Sequence, residues 1–297
     1  MPPPVILWRF TDGRPGHDNQ SLGLARALGE RADVSVFNID AGQCRGNIRN
    51  WLLRRFPQGR RLPAPTLLVG AGHGTHLPLL AARRAFGGRT VLLMKPSLPV
   101  RWFDLCLVPA HDEPEAADNI LVTEGVLNRV RPGGAHDPAR GLVLLGGPSR
   151  HHGWDSRAMV QQLSRLFAAR PCQRWTLAVS PRTPAGFGSL LRDSRVEVVA
   201  AGDDPDWLPA QLAVAGEVWV SEDSVSMLYE ALTSGARVGV LAVPRLRSGR
   251  VARGVDALVA AGRIAAPGTL VLAPESNRPF DEAARCAAWI EQQWLNA

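Results

Sequence analysis

Short apolar runs alternate with longer amphipathic segments along the 297 residues of the chain. The short runs predict strands at residues 5–10, 34–39, 66–69, 90–94, 105–108, 119–122, 141–145, 175–179, 196–200, 217–220 and 237–243. Segments with apolar residues three and four positions apart predict helices at residues 20–31, 74–85, 156–169, 224–234 and 249–261. Because strand and helix follow each other repeatedly, the pattern predicts an α/β fold with parallel sheets and helices on both faces.

The alternation is interrupted at residues 128–141, where proline and glycine are frequent and apolar residues are few. This composition is typical of a connecting segment. The sequence therefore predicts two doubly wound domains, residues 1–135 and 141–278, that face each other across a cleft. Residues 279–297 predict a terminal helix that packs back on the domain junction.

The composition is that of a globular protein, with 45% hydrophobic and 21% charged residues. No apolar run reaches the roughly 18 residues that a membrane-spanning helix needs, and the amino terminus lacks the pattern of a secretory signal. We therefore expect a cytoplasmic protein. The four cysteines lack the spacing of a metal or redox site, so we expect no bound metal.

The formal net charge of +7 is unevenly distributed, because residues 41–103 contain many arginines and no acidic residue. A helix predicted within residues 46–57 carries apolar side chains on one face, namely Ile48, Trp51, Leu52 and Phe56. Arg49, Arg54 and Arg55 flank this face, and together with Trp51 they predict contact with an anionic membrane surface. The alternative is an ordinary surface helix whose apolar face lies in the core. Nucleic acid is a weaker hypothesis, because no RNA-binding signature accompanies the arginines.

Four loops follow predicted strands and lead towards predicted helices, which is where ligands bind in open parallel sheets. They read TDGRPGHDNQ at 11–20, VGAGHGTHLP at 69–78, LLGGPSRHHGW at 144–154 and VSEDSVSMLYEAL at 220–232. Glycines in such loops let backbone amides approach an anion. Their spacing matches neither a dinucleotide fingerprint nor a P-loop. The candidate binding residues of the first two loops are Gly13, Gly16, Gly70, Gly72 and His73.

The fourth loop combines hydroxyls and carboxylates with the start of a helix. Ser221 or Asp223 would cap this helix. Ser224 and Ser226 would present hydroxyls at its positive end, where a diphosphate binds favourably. Glu230 follows about two turns later, and its carboxylate would accept hydrogen bonds from both hydroxyls of a ribose. The alternative is a capped core helix with a solvated glutamate.

This fourth loop resembles the donor-site helix of GT-B glycosyltransferases, in which a hydroxyl-rich turn holds phosphates and a glutamate holds the nucleotide ribose. LLGGPS resembles the phosphate loop that opens their second domain. DGRPGHDNQSLGLARAL and VGAGHGTHLPLLAARR resemble two glycine loops of the N-acetylglucosaminyltransferase that completes the lipid-linked peptidoglycan precursor.

Most of the chain resembles the elongated-mitochondria (ELM) fission proteins and their bacterial homologues. The motifs that carry this resemblance are, in order, DGRPGHDNQSLGLARAL, VGAG, FDLCLVPAHDEP, TEGVLNRV, GGPSRHHGW, SPRTP and SEDSVSM. The resemblance implies a GT-B-like fold more strongly than it implies any one reaction. One departure is GHG at residues 72–74, where relatives tend to have a basic residue.

Within this framework the second domain is the predicted nucleotide-sugar side. Its candidate donor-binding residues are Gly146, Gly147, Ser149, Arg182, Ser221, Asp223, Ser224, Ser226 and Glu230. Arg182 would offset the charge of the leaving diphosphate. On the acceptor side His17, assisted by Asp12, would remove the proton of the acceptor hydroxyl, with the polar residues at 18–20 lining the same place. Alternatively, His17 and Asp18 only cap and orient their helix.

The sequence thus predicts a glycosyltransferase that uses a nucleotide sugar as substrate, needs no cofactor, and acts on a membrane-linked or envelope acceptor. Such an enzyme would be cytoplasmic and would bind peripherally to the inner membrane. The alternative is a non-catalytic GT-B-fold protein that docks a membrane-division partner.

Overall fold

The computed structural model describes residues 4–200, 204, 206–247, 249–273 and 279–296. The chain divides into two compact units, one formed by Met1–Arg129 with Asp281–Ala297 and the other by Val130–Phe280. In the described part of the chain each unit contains one parallel sheet, which confirms the predicted α/β fold class. The division between Arg129 and Val130 falls inside the segment 128–141, which is rich in proline and glycine.

The first unit is built on a six-stranded sheet with the order β2-β1-β3-β4-β5-β6, in which all neighbours are parallel. The strands are β1 (Val5–Thr11), β2 (Val34–Asp40), β3 (Leu67–Ala71), β4 (Arg89–Leu93), β5 (Leu105–Pro109) and β6 (Ile120–Thr123). All residues of β3 and β5 are buried. A strand that is covered on both faces needs no polar alternation, which explains the uninterrupted apolar runs.

Helices cover both faces of this sheet, and they are α1 (Pro15–Gly29), α2 (Asn47–Leu52), α3 (His76–Phe86) and α8 (Glu282–Ile290). On one face Leu24 of α1 and Cys286 of α8 pack with Leu67 of β3. On the other face Leu79 of α3 packs with Trp8 and its neighbours. The terminal helix predicted at 279–297 thus forms as α8, and it packs against α1. Among the described residues no helix combines the length and hydrophobicity that a membrane span needs.

Helix α1 begins at Pro15, more than one turn before its predicted start at residue 20. Arg14 is the N-cap, and Pro15 occupies the first turn, where its fixed φ suits a helix and its missing N–H costs no hydrogen bond. The polar residues after Pro15 hid this start, because the apolar periodicity resumes only at Leu22. The consequence is that His17 lies in the first helical turn rather than in a loop.

The second unit contains a five-stranded parallel sheet with the order β11-β10-β7-β8-β9. Its strands are β7 (Asp137–Leu145), β8 (Arg174–Val179), β9 (Val196–Ala200), β10 (Ala215–Ser221) and β11 (Arg237–Leu241). Its helices are α4 (Ser156–Ala168), α5 (Trp207–Val214), α6 (Val225–Ser234) and α7 (Arg250–Ala260). Leu163 and Phe167 of α4 pack on Trp175 and Trp219 of the sheet. The ring of Tyr229 in α6 stacks on Phe280, with 5.7 Å between the ring centroids.

Candidate functional site

In the first unit two glycine loops meet beside the carboxyl ends of the neighbouring strands β1 and β3. Asp12 directly follows β1, His17 lies in the first turn of α1, and Gly72 directly follows β3. The Nδ1 atom of His17 lies 2.9 Å from Oδ2 of Asp12. The His17 side chain keeps 15% of its surface exposed, so the imidazole still contacts solvent.

The contact between His17 and Asp12 assigns roles to the two ring nitrogens. A carboxylate accepts a hydrogen bond from a protonated ring nitrogen, so Asp12 favours the tautomer with its hydrogen on Nδ1. The basic nitrogen of the neutral ring is then Nε2. Asp12 is itself held by the backbone amide of Arg14, which donates to Oδ1 at 3.2 Å. A histidine that a carboxylate orients in this way can act as a general base.

Gly72 provides the space that the His17 ring occupies. Its φ of 78° is in the left-handed region, and a Cβ built there would lie 2.3 Å from the His17 ring. Gly74 approaches Asp12 in a similar way, since its Cβ would lie 3.2 Å from the Cβ of Asp12. Nothing in the sequence pairs residues 72 and 74 with residues 12 and 17, so the packing of the two loops emerges only from the fold.

The other predicted residues of these loops have different positions. Gly13 has a φ of 72° and forms the turn after Asp12, while Gly16 has open space around its Cα. Gly70 is buried inside β3, where a Cβ would lie 2.6 Å from the Thr75 hydroxyl. His73 is exposed and does not join the cluster of Asp12 and His17.

Replacing Gly72 by alanine should destabilise the protein by about 1–3 kcal/mol through the collision with His17, in addition to the strain of a positive φ. Gly13→Ala is the matched control, because its φ is also positive but nothing lies within 4 Å of the new Cβ. In the double variant His17→Ala with Gly72→Ala the collision is absent, so the extra loss of stability that Gly72→Ala shows over Gly13→Ala should disappear. Urea unfolding measures all three, and equal losses for both glycines would contradict the packing described here.

The polar residues that follow His17 form hydrogen bonds and ion pairs with other residues of the first unit. They do not form a common lining around the His17 ring. Asn19 Oδ1 accepts a hydrogen bond from the backbone amide of Arg129, and Gln20 donates to the carbonyl of Gly16. Arg9 lies 3.9 Å from the Asp18 carboxyl, whose pKa is raised by burial. Asp18 and Asn19 thus contact residues outside α1, whereas Gln20 bonds within it. Their place at the acceptor stays a prediction.

In the second unit the third and fourth loops are joined by a buried hydrogen-bond network. The amide of Gly146 donates to Oγ of Ser221 at 2.8 Å, and Ser221 Oγ donates to Oδ1 of Asp223 at 2.7 Å. The amide of Gly147 donates to the other carboxylate oxygen of Asp223 at 2.9 Å. The side chains of the fourth loop thus satisfy the two glycine amides of the third.

Arg182 closes this network from the solvent side. Its Nη2 lies 2.8 Å from Oδ2 of Asp223, and its Nη1 donates to the carbonyl of Gly147 at 2.7 Å. The Arg182 side chain is 43% exposed, whereas the Asp223 side chain is fully buried. A buried carboxylate therefore holds a guanidinium at the surface, together with Oγ of Ser224.

Close approach explains why glycine occupies both positions of the third loop. A Cβ on Gly146 would lie 2.0 Å from Oδ2 of Asp223, and a Cβ on Gly147 would lie 2.1 Å from the carbonyl oxygen of Arg182. Ser149, by contrast, lies outside the network. Its Oγ accepts the amides of His151 and His152 and so shapes the turn that follows.

The amino terminus of α6 differs from the predicted one in its cap. The N-cap residue is Ser224, and no side chain caps the helix. The prediction that Ser221 or Asp223 would do so is wrong, because their oxygens bind the third loop instead. The first amides of α6 carry the positive end of the helix dipole, and Ser226 is exposed there. Glu230 is buried, so the alternative of a solvated glutamate is also wrong.

His152 is a further buried polar group, near the end of the third loop. It is completely buried, its two ring nitrogens have no hydrogen-bond partner among the described residues, and burial lowers its pKa. No group of metal-ligating side chains occurs in the part of the chain that the structure describes. Adjacent histidines in the sequence gave no indication of this burial, because it depends on the contact with the segment after β11.

The basic segment of the first unit is less helical than predicted. Helix α2 ends at Leu52, and Arg54 adopts a positive φ of 52°. Phe56 is therefore not on a common helical face but lies in the core against Trp8 and Phe10. Arg49, Arg54 and Arg55 are exposed, while Trp51 is half-buried. The alternative that places the whole apolar face in the core is wrong as well, because Ile48 and Leu52 are exposed.

Known structures share this architecture at low sequence identity. The presumed UDP-N-acetylglucosamine 2-epimerase from Listeria monocytogenes aligns over 99% of this chain and 98% of its own, with a TM-score of 0.59 and 14% identity. The structure described as the glycotransferase of kitacinnamycin aligns over 99% and 100%, with a TM-score of 0.55 and 16% identity. These likenesses support the GT-B-like fold that the sequence predicted.

No curated protein shows a significant sequence match to the chain. The family model described as mitochondrial fission ELM1, however, matches residues 15–294. This range includes His17, the glycine loops that follow β3 and β7, and the whole of α6. Because the match covers nearly the whole chain, the protein belongs to the mitochondrial fission ELM1 family.

Proposed function

We propose that this protein is a glycosyltransferase that takes a nucleotide sugar as donor. The observation that carries the proposal is the arrangement in the second unit, where the exposed guanidinium of Arg182 lies beside the amino terminus of α6. Positive charge and free helix amides together form a favourable place for a diphosphate. The proposed donor site comprises Gly146, Gly147, Ser149, Arg182, Ser221, Asp223, Ser224, Ser226 and Glu230.

The residues of this site have separate proposed roles. Ser221 and Asp223 position the glycine loop and Arg182, while Ser224, Ser226 and the helix amides bind the phosphates. Glu230 accepts the ribose hydroxyls. Arg182 and the helix dipole stabilise the charge that develops on the leaving nucleoside diphosphate, so the proposal includes no metal or cofactor.

On the first unit we propose that His17 acts as the general base for the acceptor hydroxyl. Nε2 takes the hydroxyl proton as the acceptor oxygen bonds to the anomeric carbon and the bond from that carbon to the diphosphate breaks. Asp12 stabilises the imidazolium that forms. The acceptor would be membrane-linked or part of the envelope, and the protein would work in the cytoplasm at the inner membrane surface.

One observation favours a second candidate function, a non-catalytic protein that docks a membrane-division partner. The amides of Gly146 and Gly147 are already satisfied by Ser221 and Asp223. A carboxylate of this chain thus stands next to Arg182, where an incoming diphosphate would meet negative charge. In a docking protein this network would be a structural support and would bind no nucleotide.

A panel of nucleoside diphosphates distinguishes the two functions. At 100 times its dissociation constant, a ligand of the folded state should stabilise the protein by about 2.7 kcal/mol. We expect one of the uridine, guanosine, cytidine, adenosine or thymidine diphosphates to raise the melting temperature, and the matching nucleoside monophosphate to do so less. Inorganic pyrophosphate is the control for binding by charge alone. If no nucleotide stabilises the protein, the docking function is favoured.

A further inference from the structure

We propose that the outer surface of α2 and α3 docks on an anionic bilayer, with a pocket between Trp51 and Trp102 that takes the phosphate of a lipid headgroup. We define this docking surface as Ile48, Leu52, Leu53, the exposed arginines Arg49, Arg54 and Arg55, and the residues that line the pocket. The inference rests on the membrane part of the proposed function and is independent of sugar transfer.

The apolar part of the surface results from the shortness of α2. The helix contacts α3 through Trp51, and the chain then turns at Arg54 so that Phe56 enters the core. Ile48, Leu52 and Leu53 stay outside, with 62%, 61% and 50% of their surface exposed. Three large aliphatic side chains exposed within six residues form a patch of the kind that marks an interaction site.

Beside this patch lies a cavity of about 420 Å³, lined by Trp51, Leu80, Arg83, Arg84, Arg101 and Trp102. The two indole rings are stacked, with 6.1 Å between their centroids, and the Arg84 guanidinium lies 5.1 Å from the Trp51 ring. Arg83 is already paired with Asp104 at 2.6 Å. Arg84 and Arg101 remain to bind a phosphate, while indoles favour the depth of lipid headgroups.

The charge around the pocket decides in favour of a bilayer as the occupant. Several exposed arginines have no hydrogen-bond or ion-pair partner for their side chains among the described residues, and these are Arg45, Arg49, Arg54, Arg55, Arg60, Arg61 and Arg101. An anionic membrane offers all of them negative charge at once and also buries the aliphatic side chains. Nucleic acid would leave Ile48, Leu52 and Leu53 in water.

The docking surface is separate from the candidate base. The lining residues Arg83 and Arg84 belong to the last turn of α3, whereas the loop that holds Gly72 leads into its first turn. Arg83 is seven residues beyond His76, the first residue of α3, which corresponds to roughly 10 Å at a rise of 1.5 Å per residue. Substitutions on the docking surface should therefore leave the environment of His17 unchanged.

Co-sedimentation with phosphatidylcholine vesicles, with and without phosphatidylglycerol, tests the proposal. The protein should bind the vesicles that contain phosphatidylglycerol, and binding should weaken as salt rises. The combined change Arg49→Glu, Arg54→Glu and Arg55→Glu should lower the affinity by at least about a hundredfold, since each arginine near a membrane contributes about fivefold and each glutamate adds repulsion. The matched control is Arg165→Glu, Arg174→Glu and Arg192→Glu, which alters three exposed arginines of the second unit and should retain binding.

Two further variants test the parts of the surface. Ile48→Ser, Leu52→Ser and Leu53→Ser together should remove the binding that persists at high salt, and Arg101→Gln should weaken binding to phosphatidylglycerol at every salt concentration. Equal losses for the two arginine triples, equal binding to both kinds of vesicle, or binding to single-stranded DNA but to no vesicle would each overturn the proposal. The rise in melting temperature with nucleotide is measured on the same variants, so that a failure of membrane docking is distinguished from a failure of the donor site.

Discussion

Replacing His17 by alanine should lower the rate of sugar transfer by about 100- to 10,000-fold, which is the usual contribution of a general base. Nucleotide affinity should stay unchanged, because the proposed donor residues belong to the second unit. The rate is measured as release of nucleoside diphosphate from the nucleotide sugar whose base is identified by thermal stabilisation. Added imidazole should restore part of the activity, since Gly72 leaves the vacated space open to a small base.

Two variants serve as controls for this result. Asp12→Asn keeps the size of the side chain but no longer favours the hydrogen on Nδ1, so the rate should fall by less than in His17→Ala while the fold persists. His73→Ala alters an exposed histidine outside the cluster and should have no effect. A purely structural His17 would instead cost about 1 kcal/mol of stability, with unchanged transfer and no response to imidazole.

Replacing Glu230 by alanine should abolish the stabilisation by nucleotide, a loss of about 2.7 kcal/mol at a ligand concentration of 100 times the dissociation constant. A carboxylate accepts hydrogen bonds from both ribose hydroxyls, whereas the alanine side chain has no acceptor. Glu230→Gln keeps the volume of this buried side chain and one carbonyl oxygen, so part of the stabilisation should remain. Melting curves with and without nucleotide measure both.

Glu282→Gln is the control for the loss of a buried glutamate as such. Glu282 is buried in α8 of the first unit, where it pairs with Arg285 at 2.6 Å. This variant should lower the melting temperature yet retain the full shift with nucleotide. If Glu230→Ala also retains the full shift, the protein binds nucleotide without this carboxylate, and the assignment of Glu230 to the ribose is wrong.

Sequence patterns predicted the strands well, because buried strands consist mainly of apolar residues and this is visible in the sequence. Strands β3 and β5 are covered on both faces, so their apolar runs coincide with the observed elements to within two residues. Strand β7, by contrast, starts at Asp137 rather than at the predicted residue 141, since its first residues are exposed and carry no apolar signal. Strand bounds were therefore predicted well where the residues of the strand are apolar and buried, and poorly where they are exposed.

The candidate sites were harder to predict, because their geometry depends on contacts between distant segments. The glycine loops were visible as motifs, yet the role of Asp223 was missed, since its hydrogen bond to the Gly147 amide joins residues far apart in sequence. Likewise, Trp51 stacks on Trp102, a residue from a distant part of the chain, and α2 ends shortly before Arg54, which has a positive φ. Periodicity cannot register a residue with a positive φ, so it extended α2 beyond its true end.

The packing of α8 on α1 has a consequence for how the chain folds as it is synthesised. Residues 130–280 leave the ribosome as a complete unit, and that unit can form its core at once. The apolar face of α1 that carries Leu24 and Leu28 packs partly on the sheet, and the rest of its cover, Cys286 and Ile290 of α8, is made last. Until then the part that α8 covers is exposed to water, and this long-range closure is a slow step. Chaperone capture of nascent chains is accordingly expected at the first unit, although its sequence is translated first.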